Sequence, residues 1–342
     1  MRYDPEIGTL YTADLKVRVA GEKGGYLVRT NAAGFRSEKD FIAKRTPGKF
    51  RALVFGDSQT SADGVSNKQR FSDLLEQHNP GLETFNYGLS GTGPDQHFLI
   101  YEKQRVVEHD MLVIVVYAEN IRRVCRRIFA LLDPQGSPFY YSKPYFELRN
   151  GSLEVQNVPV PKQIWTDLTL PEEHKPHVYS FHETSLFAHL TKKKSLAPRL
   201  PKAFAPMREL IRKTTARSPM LRMLPEYNDP RSPEWILLET ILRNWIQSSA
   251  VPVLLVTIPH YITFISGRDP THYRSRFREL AETTKCHYYD FLPDVLKLSE
   301  SDRRQLWSDW SGHITAPAHE LLAERIAPTI QSLMHDAQAA SA

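Results

Sequence analysis

Residues 51–60, Arg51-Ala52-Leu53-Val54-Phe55-Gly56-Asp57-Ser58-Gln59-Thr60, read as a short apolar strand that stops abruptly in a polar turn. From about Lys68 to Gln77 apolar residues recur at helical spacing, so this part of the chain predicts strand, loop, helix. The same order then repeats. A strand around Glu83 to Tyr87 runs into a glycine-rich turn, a helix follows from about Pro94 to Glu108, and the apolar run Met111 to Tyr117 comes next. Strands so continuously apolar need cover on both faces, which helices connecting parallel strands supply. Val251 to Ile258 is a further such strand, and the helix before it opens with Ser232 as N-cap and Pro233 at the first helical position. His287 to Leu292 reads as a last strand and Pro317 to Met334 as a closing helix. The expected fold class is α/β, three layers with helices on both faces of a central, mostly parallel sheet.

Around that core the chain divides into an N-terminal β-rich arm over 1–48, with turn signals at Gly24-Gly25 and Asn31, an α/β domain over 49–334, and a tail over 335–342. The domain is interrupted by an insertion over 135–232 that does not continue the alternation. Its clearest element is Tyr145 to Val155, where Asn150-Gly151 separates two strand-like runs and signals a tight hairpin. The stretch from about Pro159 to Pro230, with the basic run Lys192-Lys193-Lys194, reads as helices and loops that by position could cover the mouth of a site. No repeat of 20 to 50 residues is present, which sets solenoids and propellers aside.

Composition narrows the classes further. A hydrophobic share of 41% with 24% charged residues is ordinary globular usage. The longest apolar runs fall far short of the roughly 20 residues that a membrane-spanning helix needs. The opening MRYDPEIGTL lacks the basic-then-apolar order of a secretory signal, so a cytoplasmic location is expected. Two cysteines, Cys125 and Cys286, make no disulfide framework and no metal-ligand spacing. A net charge of +5 fits either an anionic partner or lysines and arginines scattered over a solvated surface. No nucleic-acid-binding motif accompanies that charge. No metal or cofactor is expected, and the oligomeric state is left open.

Four short stretches carry candidate chemistry. Ser58 follows a strand directly, and in a parallel sheet the carboxyl ends of strands form the usual ligand crevice. The Gly-x-Ser-x-Gly elbow of α/β-hydrolases is absent. Asn86-Tyr87-Gly88-Leu89-Ser90-Gly91 ends the second strand, where glycines let backbone N–H groups approach a ligand; a plain strand-to-helix turn would use the same residues. Asn120 follows the third strand in Tyr117-Ala118-Glu119-Asn120, and its amide could donate to an oxyanion or simply cap a helix. Asp309-Trp310-Ser311-Gly312-His313 precedes the closing helix, and a serine nucleophile needs such an imidazole to take its proton. His260 and His319 are the competing bases, His260 as a residue that could line the site and His319 as a packing residue.

Taken in this order the four stretches resemble the blocks of the SGNH/GDSL hydrolase family, over about residues 50–130 and 250–334. The resemblance implies a flavodoxin-like core with Ser58 as nucleophile and His313 as general base. It also implies an oxyanion hole formed by the N–H groups of Ser58 and Gly91 and the amide of Asn120. Gly91 rather than Gly88 matches the Ser-Gly that ends the second block. Two departures are visible: Ala118 and Ile121 stand where the family commonly has glycine and aspartate, and Asp309 lies four residues before His313 rather than three. Either Asp309 completes a triad through a longer loop, which is the preferred reading, or a backbone carbonyl orients the imidazole of a Ser-His dyad. The implied activity is hydrolysis of O-acyl esters, O-acetyl above all, of a carbohydrate or lipid through an acyl-enzyme. An O-acyltransferase with the same residues, or a binding protein that has lost turnover, are the alternatives. Apart from the resemblance, Arg122, Arg123, Arg126 and Arg127 follow Asn120 closely and at helical spacing share one broad face: either a solvated helix or, with Arg122 and Arg123, a contact for an anionic substrate group.

Overall fold

In the computed structural model, residues 1–21, 24–132, 137–172, 174, 178–180, 224–269 and 271–341 are described. Five parallel strands form the central sheet: β1 (Phe50–Phe55), β2 (Leu82–Asn86), β3 (Met111–Tyr117), β4 (Val253–Ile258) and β5 (His287–Asp290), in the spatial order β5-β4-β3-β1-β2. Pairing aligns Phe55 with Ile114 between β1 and β3, and Tyr117 with Ile258 between β3 and β4. The chain leaves β1 toward β2 and then returns to build outward through β3. The order therefore reverses between β1 and β3, the position where an open α/β sheet forms its ligand crevice.

Alternation along the strands divides the core in two, because successive side chains point to opposite faces. Leu53, Phe55, Leu112, Ile114, Val116, Val253 and Leu255 pack with α2 (Pro94–Gln104), α3 (Pro233–Ser248) and α4 (Tyr273–Thr284). Ala52, Val54, Val113, Val115, Leu254 and Val256 face the other way, against α1 (Phe71–His78) and α5 (Ala316–Ser341). This is the three-layer α/β/α arrangement. Helix α3 starts where the sequence signals it, with the Ser232 hydroxyl accepting from the Trp235 N–H. Helix α5 runs on to Ser341, past Met334, through an alanine-rich segment of high helix propensity.

The N-terminal residues form two antiparallel hairpins, Arg2–Asp4 with Gly8–Leu10 and Lys16–Val19 with Tyr26–Arg29, and Ile7, Leu10 and Phe35 join the larger core cluster. A second sheet begins before residue 135, with Ile128–Leu132 lying between Pro138–Ser142 and Val178–Ser180, and Ile164–Thr166 at its edge. Tyr145–Arg149 pairs with Ser152–Gln156, and Asn150 and Gly151 form the two-residue turn with both φ angles positive. Residues 181–223, including the basic run Lys192-Lys193-Lys194, lie outside the described set. Among the described residues, no helix is long and apolar enough to cross a membrane.

Candidate active site

Strand β1 ends at Gly56, where an added Cβ would sit 2.1 Å from Thr60 Oγ1 and 3.0 Å from the Val115 carbonyl oxygen, so only glycine lets the chain turn this tightly. Asp57 then caps the short helix Ser58–Ser61, its Oδ1 accepting from the Gln59 N–H at 2.9 Å. Ser58 is thereby held at the carboxyl end of β1, 1% exposed, its hydroxyl making no hydrogen bond with any described residue. Its N–H, the first of the helix, has no intrahelical acceptor. Ala62 in the left-handed region ends the helix.

Gln59 links this helix to the histidine strand. Its Oε1 accepts from the Ile314 N–H at 3.0 Å and its Nε2 donates to the Gly312 carbonyl at 3.5 Å. Those are the two neighbours of His313, which lies in the strand His313–Ile314 paired with Trp307–Ser308. The residue after Ser58 therefore grips the backbone on both sides of His313 across 255 positions of sequence. His313 is 8% exposed. Burial pushes its imidazole below the ordinary value of 6.5; the charges of Asp63 and Asp57 and the Ser311 backbone oppose this, and Arg123 adds to it. The imidazole is neutral at pH 7, the state that can accept a proton.

Gly91 lies beside β2 in the left-handed region, φ +77°, and a Cβ there would meet the Phe129 ring at 2.3 Å. Among the described residues, its N–H makes no hydrogen bond with a backbone carbonyl. Asn120 is fully buried at the start of the turn after β3. Its Oδ1 accepts from the Tyr117 N–H at 3.0 Å and its Nδ2 donates to Asp57 Oδ2 at 3.0 Å, which fixes the plane of the amide. The structure thus places Ser58, Gly91 and Asn120 after the carboxyl ends of β1, β2 and β3, with His313 fastened to the helix Ser58–Ser61.

The other expected residues are placed differently. Asp309 is exposed, and no hydrogen bond joins it to His313 among the described residues; its charge acts on Tyr261 instead. Arg122 donates to Glu226 Oε1 at 2.6 Å, and Arg123, buried, donates to Asp57 Oδ2 at 2.8 Å and to the Thr92 carbonyl at 3.0 Å. Both guanidinium groups are engaged within the fold. His260 is buried with its Nε2 3.7 Å from Glu119 Oε1 at the ends of β4 and β3. His319 packs flat against Phe71 and accepts from the Phe71 N–H, and burial lowers its imidazole to about 3.

The N-terminal arm supplies residues that the motif reading did not include. The Tyr11 hydroxyl lies 2.6 Å from Ser90 Oγ and 3.0 Å from Ser61 Oγ, and accepts from the Ser90 N–H. Arg36, completely buried, donates to the carbonyls of Ala62 and Val65 that follow the helix Ser58–Ser61. Tyr11 thus joins the helix of Ser58 to the turn of Gly91. Tyr11 and Arg36 sit among ordinary arm residues and carry no motif; only the fold reveals them.

No protein-family model and no curated protein matches the chain. Solved structures do. The chain is similar to a member of the lipolytic protein G-D-S-L family from Veillonella parvula, at 10% identity and a TM-score of 0.40 over 81% of this chain and 96% of that one. It is similar to TesA at 13% identity and a TM-score of 0.42, covering 83% and 99%. It is also similar to the psychrotrophic esterase EstA from Pseudoalteromonas sp. at 12% identity and a TM-score of 0.38, covering 83% and 98%.

Proposed function

We propose that the protein is a serine ester hydrolase in which Ser58 attacks the carbonyl of an O-acyl ester. The observation that carries this reading is the Gln59 clamp, which fastens both neighbours of His313 to the residue next to a buried, unengaged serine hydroxyl. In the first step the Ser58 hydroxyl adds to the ester carbonyl as His313 takes its proton. The N–H groups of Ser58 and Gly91 and the second N–H of the Asn120 amide receive the resulting oxyanion. Collapse expels the alcohol, protonated by His313, and leaves the acyl group on Ser58. Water, deprotonated by His313, then releases the acid and restores the serine. The substrate class is an O-acyl, foremost O-acetyl, ester of a carbohydrate or lipid.

The base works as a Ser-His dyad, because Asp309 is exposed and, among the described residues, makes no bond to the imidazole. Hydrolysis of p-nitrophenyl acetate and longer acyl esters by wild type and by Ser58→Ala, with intact mass after a fluorophosphonate probe, tests the reading. A single adduct and turnover that both vanish in the variant are expected. Equal behaviour of the two proteins, without an adduct, sinks the serine nucleophile and favours a protein that only binds its ligand.

A further inference from the structure

Between the carboxyl ends of β1 and β3 lies a charged pair that takes no covalent part in the proposed serine reaction. Asp57 and Arg123 are both buried, joined at 2.8 Å, and the Asn120 amide is bonded to the same carboxylate oxygen. The same Arg123 nitrogen reaches the Thr92 carbonyl, one residue past Gly91, and a Cβ on Gly93 would meet the Arg123 Cβ at 3.0 Å. Arg123 therefore bridges Asp57, which holds Asn120, and Thr92, which follows Gly91.

The carboxylate is useful to Asn120, because by accepting one amide N–H it leaves the other in a fixed direction. It is also harmful, since a bare negative charge one hydrogen bond behind an oxyanion donor opposes the negative charge that the reaction creates. In a buried site that repulsion is screened little. A guanidinium on the same oxygen removes the conflict while the carboxylate keeps its hold on the amide.

We infer that Arg123 is a positioning residue of the oxyanion hole, cancelling the charge of Asp57 so that the Asn120 amide can be held by a carboxylate without penalising the transition state. The role rests on the Ser58 reading above. It acts on a charge that develops only during reaction, so it belongs to kcat and not to KM.

The test compares kcat and KM for p-nitrophenyl acetate in wild type, Arg123→Met, Arg123→Lys and the double variant Asp57→Asn/Arg123→Met. Loss of one oxyanion donor costs on the order of 100-fold in kcat, so Arg123→Met is expected to lose about 100-fold with KM within about 3-fold. Arg123→Lys, which keeps the charge, and the double variant, which has no carboxylate to cancel, are each expected within about 10-fold of wild type. Arg123→Met within about 3-fold of wild type overturns the inference while leaving Ser58 in place, as does a double variant no faster than the single one. If Arg123→Met does not fold, the lysine and double variants decide, and a loss of about 100-fold or more in the double variant overturns the role. Absence of Ser58-dependent turnover in wild type overturns the serine reading and this role with it.

Discussion

Replacing Gly91 by alanine puts a methyl group where the structure has a ring. The backbone there has φ +77°, which costs an L-residue about 1–2 kcal/mol. The new Cβ would lie 2.3 Å from Phe129 Cζ and 2.9 Å from Cε2, so the ring must retreat by roughly 1 Å to restore ordinary contact. Phe129 is buried and packs against Tyr141, centroids 5.1 Å apart, so it has little room to yield. Overpacking of this kind costs about 1–3 kcal/mol. The sum predicts a loss of about 2–5 kcal/mol. The assay is urea denaturation of Gly91→Ala, Phe129→Leu and the double variant. Trimming the ring should relieve the clash and leave the backbone strain, giving a favourable coupling of about 1–3 kcal/mol. Gly88→Ala is the control, because its Cβ would meet the Ser61 backbone nitrogen at 2.5 Å and no ring. Phe129→Leu should not help it. A Gly91→Ala variant that loses less than about 1 kcal/mol, with no coupling to Phe129, would refute the placement of the ring over the glycine.

Three further outcomes are expected. Asp309→Asn should keep kcat within about 3-fold of wild type, because the exposed carboxylate is not bonded to His313; steady-state kinetics that show a loss near 10⁴-fold would restore the triad. Arg51 is fully buried, pairs with Glu83 at 2.6 Å and donates to the carbonyls of Ile42, Lys44 and Glu108. Arg51→Met should therefore cost about 3–5 kcal/mol by denaturant titration, and a cost under about 1 kcal/mol would contradict the buried pair. His319 is held neutral, with its imidazole lowered to about 3 against 6.5 when unfolded. Its contribution is thus complete above pH 6.5 and is lost as pH falls toward 3, by about 1.4 kcal/mol per pH unit. His319→Gln should flatten the acid side of a stability-against-pH curve, and an unchanged slope would argue against the buried neutral imidazole.

The sheet was legible because its strands are buried on both faces and so announce themselves as apolar runs, and because Ser232-Pro233 and Asn150-Gly151 act through local backbone chemistry. The positions of Ser58, Gly91, Asn120 and His313 in the fold were legible for the related reason that each follows a strand or precedes a helix at a recognisable turn. What could not be read depends on contacts between distant parts of the chain. Gln59 looks like any polar residue in a turn until Gly312 and Ile314 are folded beside it. Arg123, read from its nearness to Asn120 as a cation for an anionic substrate group, is buried on Asp57. The position of Asp309 is likewise set by how the loop before His313 closes, through Ser308 accepting from the Ser311 and Gly312 N–H groups, and not by its spacing from the histidine. The second sheet starts earlier than the break in alternation suggested because Ile128–Leu132 is itself a strand, paired outside the core.

Arg36 has a consequence for how the protein is made. During synthesis this guanidinium leaves the ribosome before the Ala62 and Val65 carbonyls that receive it, and before the strand order around Ser58 exists. The Arg36 guanidinium therefore stays hydrated until the helix Ser58–Ser61 emerges and closes over it. A polypeptide started at residue 49 would keep all four recognisable blocks yet leave those carbonyls without their donor and Ser61 and Ser90 without the Tyr11 hydroxyl. Exchanging arms between related chains would correspondingly alter the immediate surroundings of Ser58, although none of the four blocks had been touched.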